Sequence, residues 1–314
     1  MLLKNENLPP FMLGTWAWGS GNNGSKMVFG QSYDENILQE TFKTACDLNL
    51  NLFDTAEVYG MGNSEKLLGR FIAECNTPVQ ISTKYMPAKK YKQGKMAVSL
   101  SKSCERLGID VPLIYWLHMP KNVEENVVEA LELLKEKKIK YLGVSNYRLS
   151  DLKKAQALLK KAGFSISAVQ NHFSLLSYSQ NQKEILEWCK ANHVVYFSYM
   201  VLEQGALSGK YSAEKPFPLF SGRRFAFGKK MFRKIEPLLD YTQILAEKYK
   251  VNKSQIPIAW ATSKGTVPII GVTKPEHVKQ LTATATLILN KDEIQKLEQL
   301  AEQTGIMFKA SWEP

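Results

Sequence analysis

The strongest constraint on this chain is a rhythm in which a short apolar run leads into a longer stretch with helical spacing, repeated eight times along the chain. The apolar runs centre on Met12, Leu52, Ile81, Ile114, Leu142, Val169, Val195 and Ile269. Between them, apolar residues recur at helical intervals, as in Leu38, Phe42 and Ala45 after Asp34-Glu35, and Val127, Val128, Leu131 and Leu134 within Val123 to Glu136. After the seventh run comes a long irregular stretch, Tyr199 to Phe232, rich in Gly, Pro, Lys and Arg. Helices are then expected over Ile235 to Lys250 and Ser254 to Thr262, from Pro275, and over Lys291 to Glu302. Eight such units argue for a closed parallel barrel, an α/β fold of the (β/α)8 TIM-barrel class. It would have a short N-terminal strand segment, a long loop after strand seven, and one domain spanning residues 1–314. A doubly wound open sheet is the alternative. It lacks its glycine fingerprint here, because Gly60-Met-Gly62 runs on into Asn-Ser-Glu65 with no third glycine in place.

A chain of 314 residues is long for an average domain but ordinary for such a barrel. No apolar run approaches the ~20 residues needed to span a bilayer. The start, Met1-Leu-Leu-Lys-Asn-Glu-Asn, shows no secretory pattern, so no membrane association is expected. Cys46, Cys75, Cys104 and Cys189 are widely spaced with no Cys-x-x-Cys, the usage of free thiols in a reducing, cytoplasmic setting. The net charge of +11 comes from lysines mixed with acids and apolar residues along helical stretches. Such a surface attracts an anionic cofactor or substrate. Nucleic-acid binding needs basic residues interleaved with stacking aromatics or a recognisable module, and neither is present.

In a (β/α)8 barrel, chemistry sits at the C-terminal ends of the strands. The strand-ending residues are Asp54, Lys84, His118, Ser145, Asn146, Gln170 and Ser198. Three of these are ionisable and fall on consecutive strands, and Tyr59 follows Asp54 closely enough to fold back over the same mouth. Taken singly, each has an ordinary role: a turn aspartate, a solvent-facing lysine, a core histidine, a packed tyrosine. Together they make a proton donor. A phenol titrates near ~10, and an adjacent Lys84 ammonium, held by Asp54, is expected to lower that value. His118 would then hydrogen-bond the same substrate oxygen.

The chain resembles the aldo-keto reductase superfamily over most of its length, from Leu13-Gly-Thr15 to about Leu281. The resemblance rests on Leu52-Phe-Asp-Thr-Ala-Glu-Val-Tyr-Gly60, Gly62-Asn-Ser-Glu-Lys-Leu-Leu-Gly69, Ser82-Thr-Lys84, Leu117-His118, Gly143-Val-Ser-Asn146, Val169-Gln-Asn171 and Gln204-Gly-Ala-Leu-Ser-Gly-Lys-Tyr211. It implies reversible hydride transfer between NADPH, with NADH still open, and a small carbonyl compound. Tyr59 would be the general acid, with Asp54, Lys84 and His118 completing a tetrad. It also implies cofactor contacts from Gly14, Thr15, Trp16 and Asp54, a carboxamide held by Ser145, Asn146 and Gln170, and a nicotinamide stacked on Phe197. Ser198, Lys210 and Arg223 would serve the pyrophosphate, and Gly271, Thr273, Lys274 and His277 the adenosine phosphate. Trp16, Trp18, Tyr85 and Met86 would line the substrate pocket. The same resemblance leaves a second function open, a cofactor-sensing regulatory or channel-associated subunit. Sugar or metal-dependent hydrolysis on a barrel lacks a carboxylate pair and clustered metal ligands.

Overall fold

The computed structural model describes residues 3–21, 24–218 and 221–309. The chain ends counted in the expected domain (1–2, 310–314), together with 219–220 of the long segment, lie outside the described residues. Eight parallel strands close in sequence order into a barrel. They are β1 (Met12–Gly14), β2 (Leu52–Asp54), β3 (Gln80–Tyr85), β4 (Ile114–Leu117), β5 (Tyr141–Ser145), β6 (Ala168–His172), β7 (Val195–Tyr199) and β8 (Val267–Gly271). Closure comes from β1 pairing with β8, Met12 beside Ile269 and Gly14 beside Gly271.

Helices follow the strands in order. After β1 come α1 (Ser25–Phe29) and α2 (Glu35–Asp47); α3 (Asn63–Ala73), α4 (Lys95–Leu107), α5 (Val123–Lys135), α6 (Leu149–Lys161) and α7 (Gln180–Ala191) then alternate with β2 to β7. The segment after β7 is less irregular than its composition suggests. It holds a short 3-10 helix (Glu203–Ser208), α8 (Gly222–Ala226), α9 (Lys229–Tyr249) and α10 (Gln255–Ser263). α9 starts six residues before the expected Ile235 and carries Pro237 inside it. α11 (Pro275–Ala285) and α12 (Lys291–Gln303) end the described fold.

Two apolar clusters divide the core by strand periodicity. Successive strand residues point to opposite faces. Met12, Leu52, Ile114, Trp116, Tyr141, Ala168, Phe197 and Ile269 fill the barrel interior. Their neighbours Leu13, Phe53, Ile81, Tyr115, Leu142, Val144, Val169 and Tyr196 face the helices. This alternation also sorts the polar strand residues: Asp54, Lys84, Ser145 and Gln170 share the inward face, while Thr83, Tyr85 and Ser198 share the outward one.

Candidate functional site

The inward face of β2 and β3 ends in a buried ion pair. Lys84 and Asp54 are 0% and 3% exposed, and Lys84 Nζ bonds Asp54 Oδ2. Charges taken out of water need further partners. Lys84 Nζ also donates to Thr55 O at 2.8 Å, and Asp54 Oδ1 accepts from Ser82 Oγ at 2.6 Å and Gln170 Nε2 at 3.3 Å. The ammonium lies 4.8 Å from the centre of the Tyr59 ring.

Tyr59 is brought over this pair by a tight turn. Gly60 (φ 57°) and Met61 (φ 55°) are left-handed, and a Cβ on Gly60 would meet Ser20 O at 2.5 Å. Only glycine allows the loop after β1 to pack so closely behind the tyrosine. Trp16, from that same loop, stacks on Tyr59 at 5.5 Å and 19°. His118, just past β4, donates its backbone N–H to Tyr85 O at 2.9 Å and meets the Tyr59 ring edge-on at 6.0 Å. Its Nδ1 is buried with no hydrogen-bond partner among the described residues.

Burial dominates the electrostatics. It pushes the Tyr59 hydroxyl well above the ordinary phenol range, and the Asp54 charge adds to the effect. The expected lowering by Lys84 is thus overturned. Burial also holds His118 well below the usual imidazole range, reinforced by Lys84. Lys84 itself is lowered by burial, with Asp54 opposing. The mouth therefore presents a protonated phenol and a neutral imidazole beside a compensated ammonium.

Tyr59, Asp54 and His118 face a cavity of about 1010 Å³, with Lys84 buried behind them. Gly14, Trp16, Met86, Ser145, Asn146, Gln170, Lys210, Arg223, Gly271, Thr273 and His277 line it, as do Asp54, Tyr59 and His118. Asn146 takes a left-handed conformation (φ 64°) and donates from Nδ2 to His118 O at 3.0 Å, tying the ends of β4 and β5. His277 Nδ1 accepts from Thr273 N at 3.2 Å. Arg223 reaches the cavity, but its guanidinium donates to Gln204 O and Phe29 O at 3.0 and 2.8 Å, so it fastens two loops across the mouth.

Six of the residues expected to serve cofactor or substrate do not line this cavity. Thr15 and Ser198 point outward: Thr15 Oγ1 donates to Asp54 O, and Ser198 Oγ pairs with Thr266. Tyr85, also outward, and Trp18 belong to the layer between barrel and helices, and Trp18 Nε1 donates to Val272 O at 2.7 Å. Phe197 faces inward but lies one layer too deep, fully buried edge-on against Trp116. Lys274 stands exposed just before α11, off the cavity wall. The aromatic at the wall is instead Tyr199, two residues beyond Phe197 on the same face, whose hydroxyl donates to Asn146 Oδ1 at 2.6 Å. That two-residue step was the available signal. Gln280 and Leu281 line the cavity beside His277, and Lys253, which no motif marked, lines it too.

Fold and site together define a (β/α)8-barrel oxidoreductase. The chain belongs to the aldo/keto reductase family, whose model matches residues 10–302. It is 33% identical to a chloroplastic pyridoxal reductase of Arabidopsis thaliana, over 95% of this chain and 84% of that protein. It is 31% identical to an uncharacterized oxidoreductase of Mycobacterium tuberculosis, over 88% of this chain and 84% of the other. Among solved structures, the glycerol dehydrogenase of Gluconobacter oxydans shares the fold with a TM-score of 0.82 at 22% identity, covering 98% of this chain and 95% of that one. An aldo/keto reductase of Klebsiella pneumoniae, solved with NADP and acetate, gives 0.71 at 22% identity, over 94% and 92%. Among the described residues, no helix is long and apolar enough to cross a membrane.

Proposed function

We propose that this chain, working as a single barrel domain, reduces aldehydes or ketones to alcohols with NADPH, and that Tyr59 delivers the proton. The observation that carries this reading is the protonated Tyr59 phenol on one cavity wall with Asp54 and a neutral His118, backed by the buried Lys84 ammonium. The cavity suits an anionic dinucleotide: Lys210, Lys250, Lys253 and Arg223 line it, against Asp54 and Glu247 as the acids. Ser145, Asn146 and Gln170 offer amide and hydroxyl partners to a carboxamide near Tyr59, and Tyr199 offers a ring. Lys210, Thr273 and His277 are at hand for phosphate. When bound, the reduced nicotinamide supplies the hydride.

The chain's own groups handle the rest. A carbonyl oxygen directed at Tyr59 and His118 gains negative charge as its carbon is reduced. The Tyr59 hydroxyl transfers its proton to that oxygen, leaving a phenolate beside the Lys84 ammonium. That is where the cation acts: it stabilises the conjugate base formed in the step. Asp54 keeps Lys84 charged and aimed, and the neutral imidazole of His118 orients the carbonyl. Water then returns a proton to Tyr59. Trp16, Met86 and Phe29 give the mouth an apolar, aromatic lining, suited to aromatic or medium aliphatic carbonyls.

The test is NADPH oxidation across a panel of carbonyls, with NADH in parallel. Pyridoxal belongs in the panel because the Arabidopsis relative is named for it. Tyr59→Phe should lower kcat by about 10²–10⁴-fold, the usual worth of a positioned acid, while NADPH binding followed by fluorescence is retained. Tight NADPH binding with no carbonyl turned over would remove the reductase reading.

A further inference from the structure

We infer that Cys46 and Cys75 form an oxidisable dithiol site, which closes to an intramolecular disulfide on exposure to hydrogen peroxide. Their sulfurs lie 3.8 Å apart across 29 positions of sequence. Cys46 is buried near the C-terminus of α2, and Cys75 is half-buried just after α3. At that separation the sulfurs are in contact but unbonded, and a disulfide near 2.05 Å needs them to close by about 1.8 Å. Cross-bonds already hold the surrounding backbone together. Asn51 Nδ2 donates to Pro78 O at 2.7 Å, and Gln80 N donates to Asn51 O at 2.9 Å.

The two thiols are unequal, which gives the reaction its order. Cys75 is reached by solvent, and its sulfur accepts the Thr77 backbone N–H at 3.4 Å, which helps hold it beside Cys46. Burial and the neighbouring sulfur push the Cys46 thiol up to about 12, so it responds rather than initiates. The Cys75 thiolate attacks a peroxide oxygen, the O–O bond breaks, and hydroxide leaves, giving Cys75 sulfenic acid. The Cys46 sulfur then attacks the Cys75 sulfur, the S–O bond breaks, and the hydroxyl departs as water with the Cys46 proton. In sum, two thiols and one peroxide become one disulfide and two waters.

Both cysteines precede strands, Cys46 before β2 and Cys75 before β3, so the bridge lies at the N-terminal foot of the barrel. Chemistry in this fold occupies the opposite face, and the foot contributes stability. The bridge would enclose the segment carrying Asp54 and Tyr59 without entering their cavity. Oxidation should therefore raise the thermal midpoint, by about 5 °C for a loop of this length in a chain this large. The site stands whether or not the reductase reading holds.

The experiment treats the full chain with hydrogen peroxide and counts thiols under denaturing conditions. The expected result is a fall from four titratable thiols to two, a mass lower by about 2 Da, and one peptide linking Cys46 to Cys75, all reversed by dithiothreitol. Cys75→Ser should abolish the linked peptide. The Cys104→Ser/Cys189→Ser double variant, whose substitutions leave the pair intact, should form it unchanged. If Cys46 stays titratable after treatment, or Cys75 ends only as sulfinic acid or in dimers between chains, the inference is overturned.

Discussion

Lys84 shows how the surroundings of a residue decide its chemistry. The sequence places a cation beside a tyrosine, and two such groups in water would lower the phenol. In the barrel the same neighbours are buried, and loss of water, together with the Asp54 charge, makes Tyr59 hold its proton more firmly. For a proton donor that is the required resting state. His118 carries a pH consequence. Its folded pKa lies below the ordinary ~6.5, so the unfolded chain binds the proton more readily. The contribution to stability is full above ~6.5 and is lost as pH falls through the folded value. Melts of wild type and His118→Gln at pH 7.5 and pH 5.0 should show the larger acid loss in wild type. Equal losses would mean that His118 does not titrate across unfolding. His277 is also lowered by burial and affects both proteins equally, so the difference isolates His118. Asp54, Tyr59, Lys84 and His118 were legible because each is chemically distinct and stands at or just beyond a strand end. Tyr85 and Ser198 lie off the cavity because sequence neighbours on a strand face opposite ways, Thr15 because its hydroxyl turns back to Asp54 O, and Phe197 because strand-end counting gives a face but not a depth.

The element least legible in the sequence is the turn after β7, where the chain does what residue preferences oppose. Met200 (φ 56°), Glu203 (φ 46°) and Gln204 (φ 53°) are left-handed without being glycine, and such backbone persists only when its surroundings hold it. The hold here is Glu203. Its side chain is fully buried, its Oε1 takes His172 Nε2 at 2.8 Å and the Ser174 hydroxyl, and Met200, Leu202 and Gln204 turn the other way to line the cavity. Nothing in the sequence links residues 172, 174 and 203; β6 and β7 bring them together. Glu203→Ala removes the carboxylate that His172 and Ser174 share and leaves both buried partners unsatisfied, at a cost of about 2–3 kcal/mol. Urea unfolding should register that loss, and a fluorescence titration should show weaker NADPH binding, because the released turn is cavity wall. An unchanged midpoint would show that the turn holds itself. α9 was started too late for a different reason: Lys229, Lys230, Arg233 and Lys234 read as loop, yet Phe232, Ile235, Leu238 and Leu239 are buried along one helical face and tertiary packing prevails.

At the scale of the whole molecule, the eightfold alternation made the barrel readable, because only closure gives every strand two neighbours. Its filling was not readable. A barrel of eight strands has an interior just wide enough for side chains, and large residues there need small ones opposite. Trp116 on β4 is fully buried in that space, edge-on to Phe197 at 5.5 Å. The residue beside it on β5 is Gly143. A Cβ there would lie 2.2 Å from Trp116 Cε3 and 2.5 Å from Cζ3. The constraint is steric rather than conformational, since Gly143 is not among the left-handed glycines. Gly143→Ala should therefore destabilise by about 3 kcal/mol, the upper part of the range for overpacking, because Phe197 stands behind the indole. Replacing the indole should undo much of this. Trp116→Leu opens a cavity by itself, yet in the Gly143→Ala background it removes the clash, so the two losses should sum to more than the double variant shows. Chemical denaturation of the four proteins measures that coupling. Strict additivity would mean that the barrel accommodates the methyl group elsewhere, and that Gly143 is not what admits Trp116.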